Sequence, residues 1–257
     1  MVPTPAVLRS IASALSVATL AGCSYVPSLD FSGWGRSEEP IAEVVVPPER
    51  PIEPRLETRR FDGVTAELEV LGDVQVVSAR EENTFVQIAR EFNVGYDELR
   101  LANPDVDVWL PGEATPVVLP TMSIIPAVPR EGIVLNLPSM RLMYFRQETA
   151  EGEPADTLSI TTHPIGIGRQ GWATPTGRAE VTQKARDPVW YPPASVRAEH
   201  AELGDPLPSI VEAGPDNPLG HFAIGLSMPG YLIHGTNKPA GVGMRVSHGC
   251  IRLYPED

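Results

Sequence analysis

The chain has 257 residues, of which 42% are hydrophobic, with 33 Asp plus Glu against 20 Lys plus Arg and a formal net charge of −13. That length holds one to two domains with a real core, and the acidic balance argues against binding a nucleic-acid phosphate backbone. The 28 prolines are too many for a compact helical protein and point to linkers, turns and β structure.

Residues 1–22 read as an export signal: Arg9 supplies positive charge, and the apolar run from Ile11 to Ala21 is too short to span a bilayer. The following Leu20-Ala21-Gly22-Cys23 resembles a bacterial lipobox, which implies cleavage before Cys23 and a lipid on its thiol. Ser24-Tyr25, with no aspartate after the cysteine, fits the enteric pattern for sorting to the outer membrane. The alternative is an ordinary signal peptide with an incidental cysteine. Lipidation would leave Cys250 as the sole free thiol; a Cys23–Cys250 disulfide is the rival arrangement. Residues 23–73 open with a Pro/Glu/Arg-rich stretch lacking any sustained apolar period, expected to be a semi-extended tether from a membrane.

Residues 74–121 change character. QVVSAR alternates like a strand, and TFVQIAREF sets Phe85, Ile88, Ala89 and Phe92 at helical spacing. Tyr96, Leu99 and Leu101 suggest a second short helix closing at Asn103-Pro104, and LPGEATPVVLP reads as turn and strand. This βααβ order resembles a LysM module, which implies contact with N-acetylglucosamine-containing glycan. The sequence departs from that family at Glu82-Asn83-Thr84-Phe85, where Gly-Asp-Thr-Leu is usual.

From residue 128 the pattern is β. IVLNLPSMRLMYFR predicts a hairpin turning at Leu137-Pro138-Ser139, and SITTHPIGIG and GWATPTGRAEVTQK give further strands punctuated by glycine. With no amphipathic period of helix length, residues 128–257 are expected to be mainly β, a sandwich or mixed-sheet domain.

The chemistry gathers at the C-terminal end, YLIHGTNKPAGVGMRVSHGCIRLYPED. A thiol is nucleophilic as thiolate, and a nearby imidazole can take its proton, so Cys250 is expected to be held ionised by a neighbouring ring. His234 and His248 are both candidate bases for Cys250. His234 reaches it only if the glycine-rich GTNKPAGVG segment folds back as a loop. Gly249 frees the backbone so that amides around Cys250 can converge on an oxyanion, and Arg252 suits a substrate carboxylate. His234, His248 and Cys250 as zinc ligands is a rival reading, but no fourth donor stands at a recognisable spacing. His163, His200 and His221 read as surface or packing residues, and Trp172 as a border of the groove.

HG, a loop and then SHGCIRLYPED resemble the signature of the YkuD-type (ErfK/YbiS-like) L,D-transpeptidases. TPTG (Thr174 to Gly177), DPVWYPP (Asp187 to Pro193) and GPDNPLG (Gly214 to Gly220) resemble further landmarks of the family. The resemblance implies Cys250 as the acylated nucleophile, His234 as its base and Gly235 as the carbonyl orienting that ring. It implies His248 and Gly249 in the oxyanion and substrate cradle, with Arg252, Ser247, Tyr231 and Trp172 on the substrate. The reaction it implies is attack on the stem-peptide amide between meso-diaminopimelate and D-alanine, release of D-alanine, and resolution of the thioester by an amine. No metal or cofactor is implied. The partners implied are peptidoglycan stems and glycan, an envelope lipoprotein as possible acceptor, and a membrane through the lipid, in the periplasm. Resolution by water would give a carboxypeptidase or hydrolase instead; a non-catalytic wall-binding lipoprotein is the remaining alternative. Pro255-Glu256-Asp257 looks like the opening of a helix that the family continues, so the sequence is expected to be a fragment of the fold.

Overall fold

The computed structural model describes residues 59–147 and 157–257. The export signal, Cys23 and the tether up to residue 58 lie outside the described residues.

The chain enters on β1 (Arg59–Val64) and β2 (Val70–Leu71). A small unit follows: β3 (Gln75–Ser78), α1 (Phe85–Glu91), α2 (Tyr96–Ala102) and β4 (Pro116–Leu119), with β3 and β4 antiparallel. β5 (Ser123–Ile124) then pairs back with β2. α1 starts where it does because Thr84 and Gln87 cap each other, the Thr84 hydroxyl accepting from the Gln87 amide and the Gln87 side chain from the Thr84 amide. Such a reciprocal cap is worth about 1 kcal/mol. Phe85, Ile88 and Ala89 on one face of α1 meet Leu99 of α2, Val117 and Leu119 of β4, and Val94 between the helices.

The larger part contains β6 (Gly132–Asn136), β7 (Arg141–Gln147), β8 (Leu158–Pro164), β9 (Ile167–Gly168), β10 (Val181–Arg186), α3 (Ala194–Glu202), β11 (Phe222–Leu226), β12 (Leu232–His234), β13 (Arg245–Ser247) and β14 (Ile251–Arg252). One antiparallel sheet runs β1-β8-β7-β6; a second, mixed, runs β10-β11-β12-β14, its β12–β14 pair parallel. β7 alternates across its sheet: Met143 and Phe145 pack under β1, β2 and Ile125, while Leu142 faces Ile165, Ile167, Ile233 and Ile251. That second cluster joins β7 to the strands carrying His234 and Cys250.

Two sequence expectations need revision. Residues 59–73 are not tether: β1 adds an antiparallel edge to the β6–β8 sheet, and Val64 and Leu71 are core. The region from residue 128 is a mixed α/β fold, not strands alone, because α3 is present. Of its nine residues only Val196 is buried, so no apolar period announces it. The expected hairpin is β6–β7, closed by the Met140 amide on the Leu137 carbonyl.

Candidate active site

β12 ends in His234, and β14 begins one residue after Cys250. The parallel pairing sets Ile233 opposite Ile251 and His234 opposite Arg252. Paired residues of neighbouring strands share a face, and residues two apart along a strand share it too. His234, Arg252 and Cys250 therefore project from the same face. A strand spacing of about 4.8 Å and a two-residue step of about 6.6 Å put the Cα atoms of His234 and Cys250 roughly 8 Å apart, within reach of a ring and a thiol.

The ring is held from behind. His234 is 4% exposed, and its Nδ1 lies 2.6 Å from the Gly235 carbonyl oxygen. A carbonyl only accepts, so Nδ1 carries the proton and Nε2 keeps its lone pair. Burial, seconded by the Arg252 charge, pushes the ring down to about 4, against the opposing pull of the Gly235 and Leu219 carbonyls. The imidazole is neutral at physiological pH.

The thiol is neutral as well. Its Sγ donates to the Gly230 carbonyl at 3.6 Å. Burial raises Cys250 above the ordinary thiol range, outweighing a Leu232 backbone hydrogen bond and the Arg252 charge, which both favour thiolate. Both groups thus rest neutral, contrary to the expectation of a cysteine held ionised. Burial also lowers Arg252, whose Nε is buried without a hydrogen-bond partner. That guanidinium is available to a carboxylate entering from solvent.

The turn before the cysteine is built by Ser247 and Thr174. Ser247, 1% exposed, gives its hydroxyl to the Cys250 carbonyl at 2.6 Å and accepts the Gly249 amide at 3.0 Å. Ser247 is thus a clip inside the turn, and the Gly249 N–H, expected to be open to an oxyanion, is engaged by its hydroxyl. Thr174, from the TPTG segment, donates to the Gly249 carbonyl at 2.8 Å and accepts the Gly168 amide at 2.9 Å. Gly249 has φ +107°, and a Cβ there would stand 2.8 Å from Cε1 of Tyr231, so only glycine fits beneath that ring. Asn217, fully buried, donates to the carbonyls of Pro188, Val211 and Glu212, tying DPVWYPP to GPDNPLG. That bond set seats Leu219 and Gly220 against Gly235, behind the imidazole.

His248 is occupied elsewhere. Its Nε2 lies 2.8 Å from Glu199 Oε2 on α3 and 3.3 Å from Arg169 Nη2, and Arg169 pairs with Glu199. Trp172 meets the ring edge-on at 4.8 Å between centroids, under Arg169. Burial lowers His248, with Glu199 opposing. The structure therefore brings His234, Cys250 and Arg252 together, sets Trp172 and His248 in a neighbouring cluster, and adds Arg169 and Glu199, which sequence reading missed. Nothing in linear spacing links positions 169 and 199 to 248. Among the described residues, no group of three or more His, Cys, Asp or Glu is arranged to hold a metal ion, and no helix is long and apolar enough to cross a membrane.

Comparisons with known proteins identify the family. Residues 130–257 match the family model described as YkuD, L,D-transpeptidase catalytic domain. The chain is 44% identical to the protein described as "Probable L,D-transpeptidase YcfS" of Escherichia coli K12, across 66% of this chain and 52% of that protein. It is 41% identical to "Probable L,D-transpeptidase YbiS" of the same strain, across 73% of this chain and 60% of that one. To "Probable L,D-transpeptidase ErfK/SrfK" of Salmonella typhimurium it is 40% identical, across 73% and 59%. The chain spans little more than half the length of these relatives. Its residues 130–257 form a YkuD-type catalytic domain related to the L,D-transpeptidases.

Proposed function

We propose that the chain is a cysteine-dependent peptidoglycan L,D-transpeptidase that makes a thioester with a tetrapeptide stem at meso-diaminopimelate. The observation that carries this reading is the His234 ring, its Nδ1 committed to the Gly235 carbonyl, on the strand beside Cys250 and Arg252. Arg252 takes a carboxylate of the donor stem. Cys250 Sγ attacks the carbonyl carbon of the amide to D-alanine while His234 Nε2 accepts the thiol proton. Because both partners rest neutral, proton transfer accompanies attack, as in general base catalysis. The oxyanion is met by the Cys250 amide, the Gly249 amide being held by Ser247. Collapse breaks the C–N bond, and the imidazolium returns its proton to the departing D-alanine amine. An acceptor amine then attacks the thioester, losing its proton to His234, and the thiol is regenerated. A diaminopimelate amine yields a 3-3 crosslink and a lipoprotein lysine an attachment; water yields trimming. Tyr231 and Trp172 line the approach, and no metal or cofactor takes part.

Two finer assignments belong with this reading. The β3–α1–α2–β4 unit is taken as LysM-like and glycan-contacting, supported by its element order and by Trp109 and Leu110, both exposed on the loop after α2. Cys23 is taken as the lipid anchor holding the chain to the outer membrane from the periplasmic side, supported by the LAGC motif.

The test is acylation. A carbapenem should raise the intact mass of the folded chain by one adduct, lost in Cys250→Ala, and muropeptides from a tetrapeptide donor should include crosslinked product. A folded chain that takes no adduct would sink the catalytic reading; trimmed tripeptide without crosslinks would reassign it to carboxypeptidase.

A further inference from the structure

The segment between His234 and β13 needs something to hold it. It has glycine at 235, 241 and 243, one short 3-10 turn at Pro239–Gly241, and no other regular structure before β13. A chain of this composition loses much backbone entropy on ordering. What orders it comes from the α1–α2 unit. The first amides of α2 have no partner within the helix, and they donate outward: Tyr96 to the Val242 carbonyl at 3.3 Å and Asp97 to the Gly243 carbonyl at 3.2 Å. The backbones touch at paired glycines. A Cβ on Gly243 (φ +78°) would lie 2.2 Å from the Gly95 Cα, and one on Gly95 would lie 2.9 Å from the Gly243 Cα.

The seat itself is braced. Glu98 Oε1 accepts from the Gly95 amide at 2.6 Å and from Arg141 Nη2 at 2.5 Å, and Arg141 is 3% exposed at the start of β7. Beyond β14, the Tyr254 hydroxyl donates to the Val94 carbonyl at 3.2 Å, Asn93 donates to Asp257 at 3.2 Å, and Arg90 pairs with Glu256. From the seated turn the chain runs through Met244, whose carbonyl accepts from Ile167, into β13 and the Ser247 clip on Cys250. The α1–α2 unit thus grips the backbone on both sides of the cysteine.

We infer that the α1–α2 unit is a positioning element of the catalytic centre: the start of α2 seats the Val242–Gly243 turn and so sets the register of the thiol against the imidazole. This rests on His234 acting as base to Cys250, and it assigns the unit a task separate from glycan contact. Gly95 and Glu98 are positioning residues that touch no substrate.

The experiment measures alkylation of Cys250 by iodoacetamide in the full chain, resolved by peptide mass, at pH 6.5 and at pH 10. At the lower pH a neutral thiol depends on His234 to take its proton; at the higher pH hydroxide takes it without the ring. His234→Asn should abolish the base-assisted part, and if it leaves the ratio of the two rates unchanged, the reading of His234 as base fails, whatever the role of α2. Gly95→Ala adds a methyl against Gly243 at a φ that alanine tolerates. It should slow the pH 6.5 rate roughly tenfold, since sub-ångström misplacement is costly, and leave the pH 10 rate unchanged. Glu98→Gln removes the charge on the brace without adding volume, and should act in the same direction even where Gly95→Ala does not fold. A wild-type rate ratio in the folded variants, or an equal loss at both pH values, would overturn the inference.

Discussion

Burial of a neutral His234 makes a quantitative demand on stability. The ring titrates at about 4 in the fold, with burial the leading cause and Arg252 the next, and near 6.5 in the unfolded chain. Below pH 6.5 the unfolded state takes up a proton that the folded state refuses. Stability therefore falls as pH drops from about 6.5 to about 4, and levels off once both states are protonated. That interval corresponds to about 3 kcal/mol, with a slope approaching 1.4 kcal/mol per pH unit between the two values. His234→Asn removes the titration while an amide N–H remains to face the Gly235 carbonyl. Urea unfolding of both proteins from pH 8 to pH 4 isolates the contribution of the ring, since other groups cancel in the difference. The wild-type-minus-variant stability should be flat above pH 7 and decline by about 3 kcal/mol toward pH 4. A difference that grows on acidification would mean that the ring gains charge in the fold, and the neutral-pair mechanism would be refuted; a constant difference would mean that burial does not lower the ring.

Other outcomes follow from neighbouring geometry. Ser247→Ala strips two hydrogen bonds from a buried turn and should cost about 1–3 kcal/mol in urea unfolding, with slower acylation of Cys250. Gly168→Ala places a Cβ 1.9 Å from the Trp172 carbonyl and 3.0 Å from the Gly249 Cα; backbone must shift, so several degrees of Tm and most acylation should be lost, whereas Gly171→Ala, with open space around it, meets only the backbone cost of φ +82° and should keep most of its acylation. Glu199→Gln removes the carboxylate shared by His248 and Arg169. It should raise the KM for a tetrapeptide donor severalfold while leaving carbapenem acylation within about threefold, and equal losses in both would contradict the expectation that His248 belongs to the substrate cradle.

The centre was legible in sequence where its chemistry is local. His234-Gly235 and Ser247 to Arg252 are short motifs, and a strand pair is enough to unite them. What escaped was set by long-range packing. Glu199 meets His248 across 49 positions and Arg169 meets it across 79, with no period connecting them. α3 buries only Val196, so it left no apolar stripe to read. Glycine before the cysteine suggested a free amide at Gly249, but the serine two residues earlier turns back and takes it. The thiolate expectation followed from proximity to imidazole; burial of both groups, invisible before folding, outweighs that attraction. Arg59 to Val64 looked like the end of a polar linker because only one of its six residues is buried, and its value to the fold is as a hydrogen-bonded edge on β8.

The most direct measurement is to incubate the purified chain with a tetrapeptide stem, quench in acid, and map the covalent adduct by peptide mass. The expected result is a thioester on Cys250 equal to the donor less D-alanine, absent in Cys250→Ala and much reduced in His234→Asn. An adduct on any other residue, or undiminished acylation in His234→Asn, would contradict the assignment of sulfur and ring as nucleophile and base.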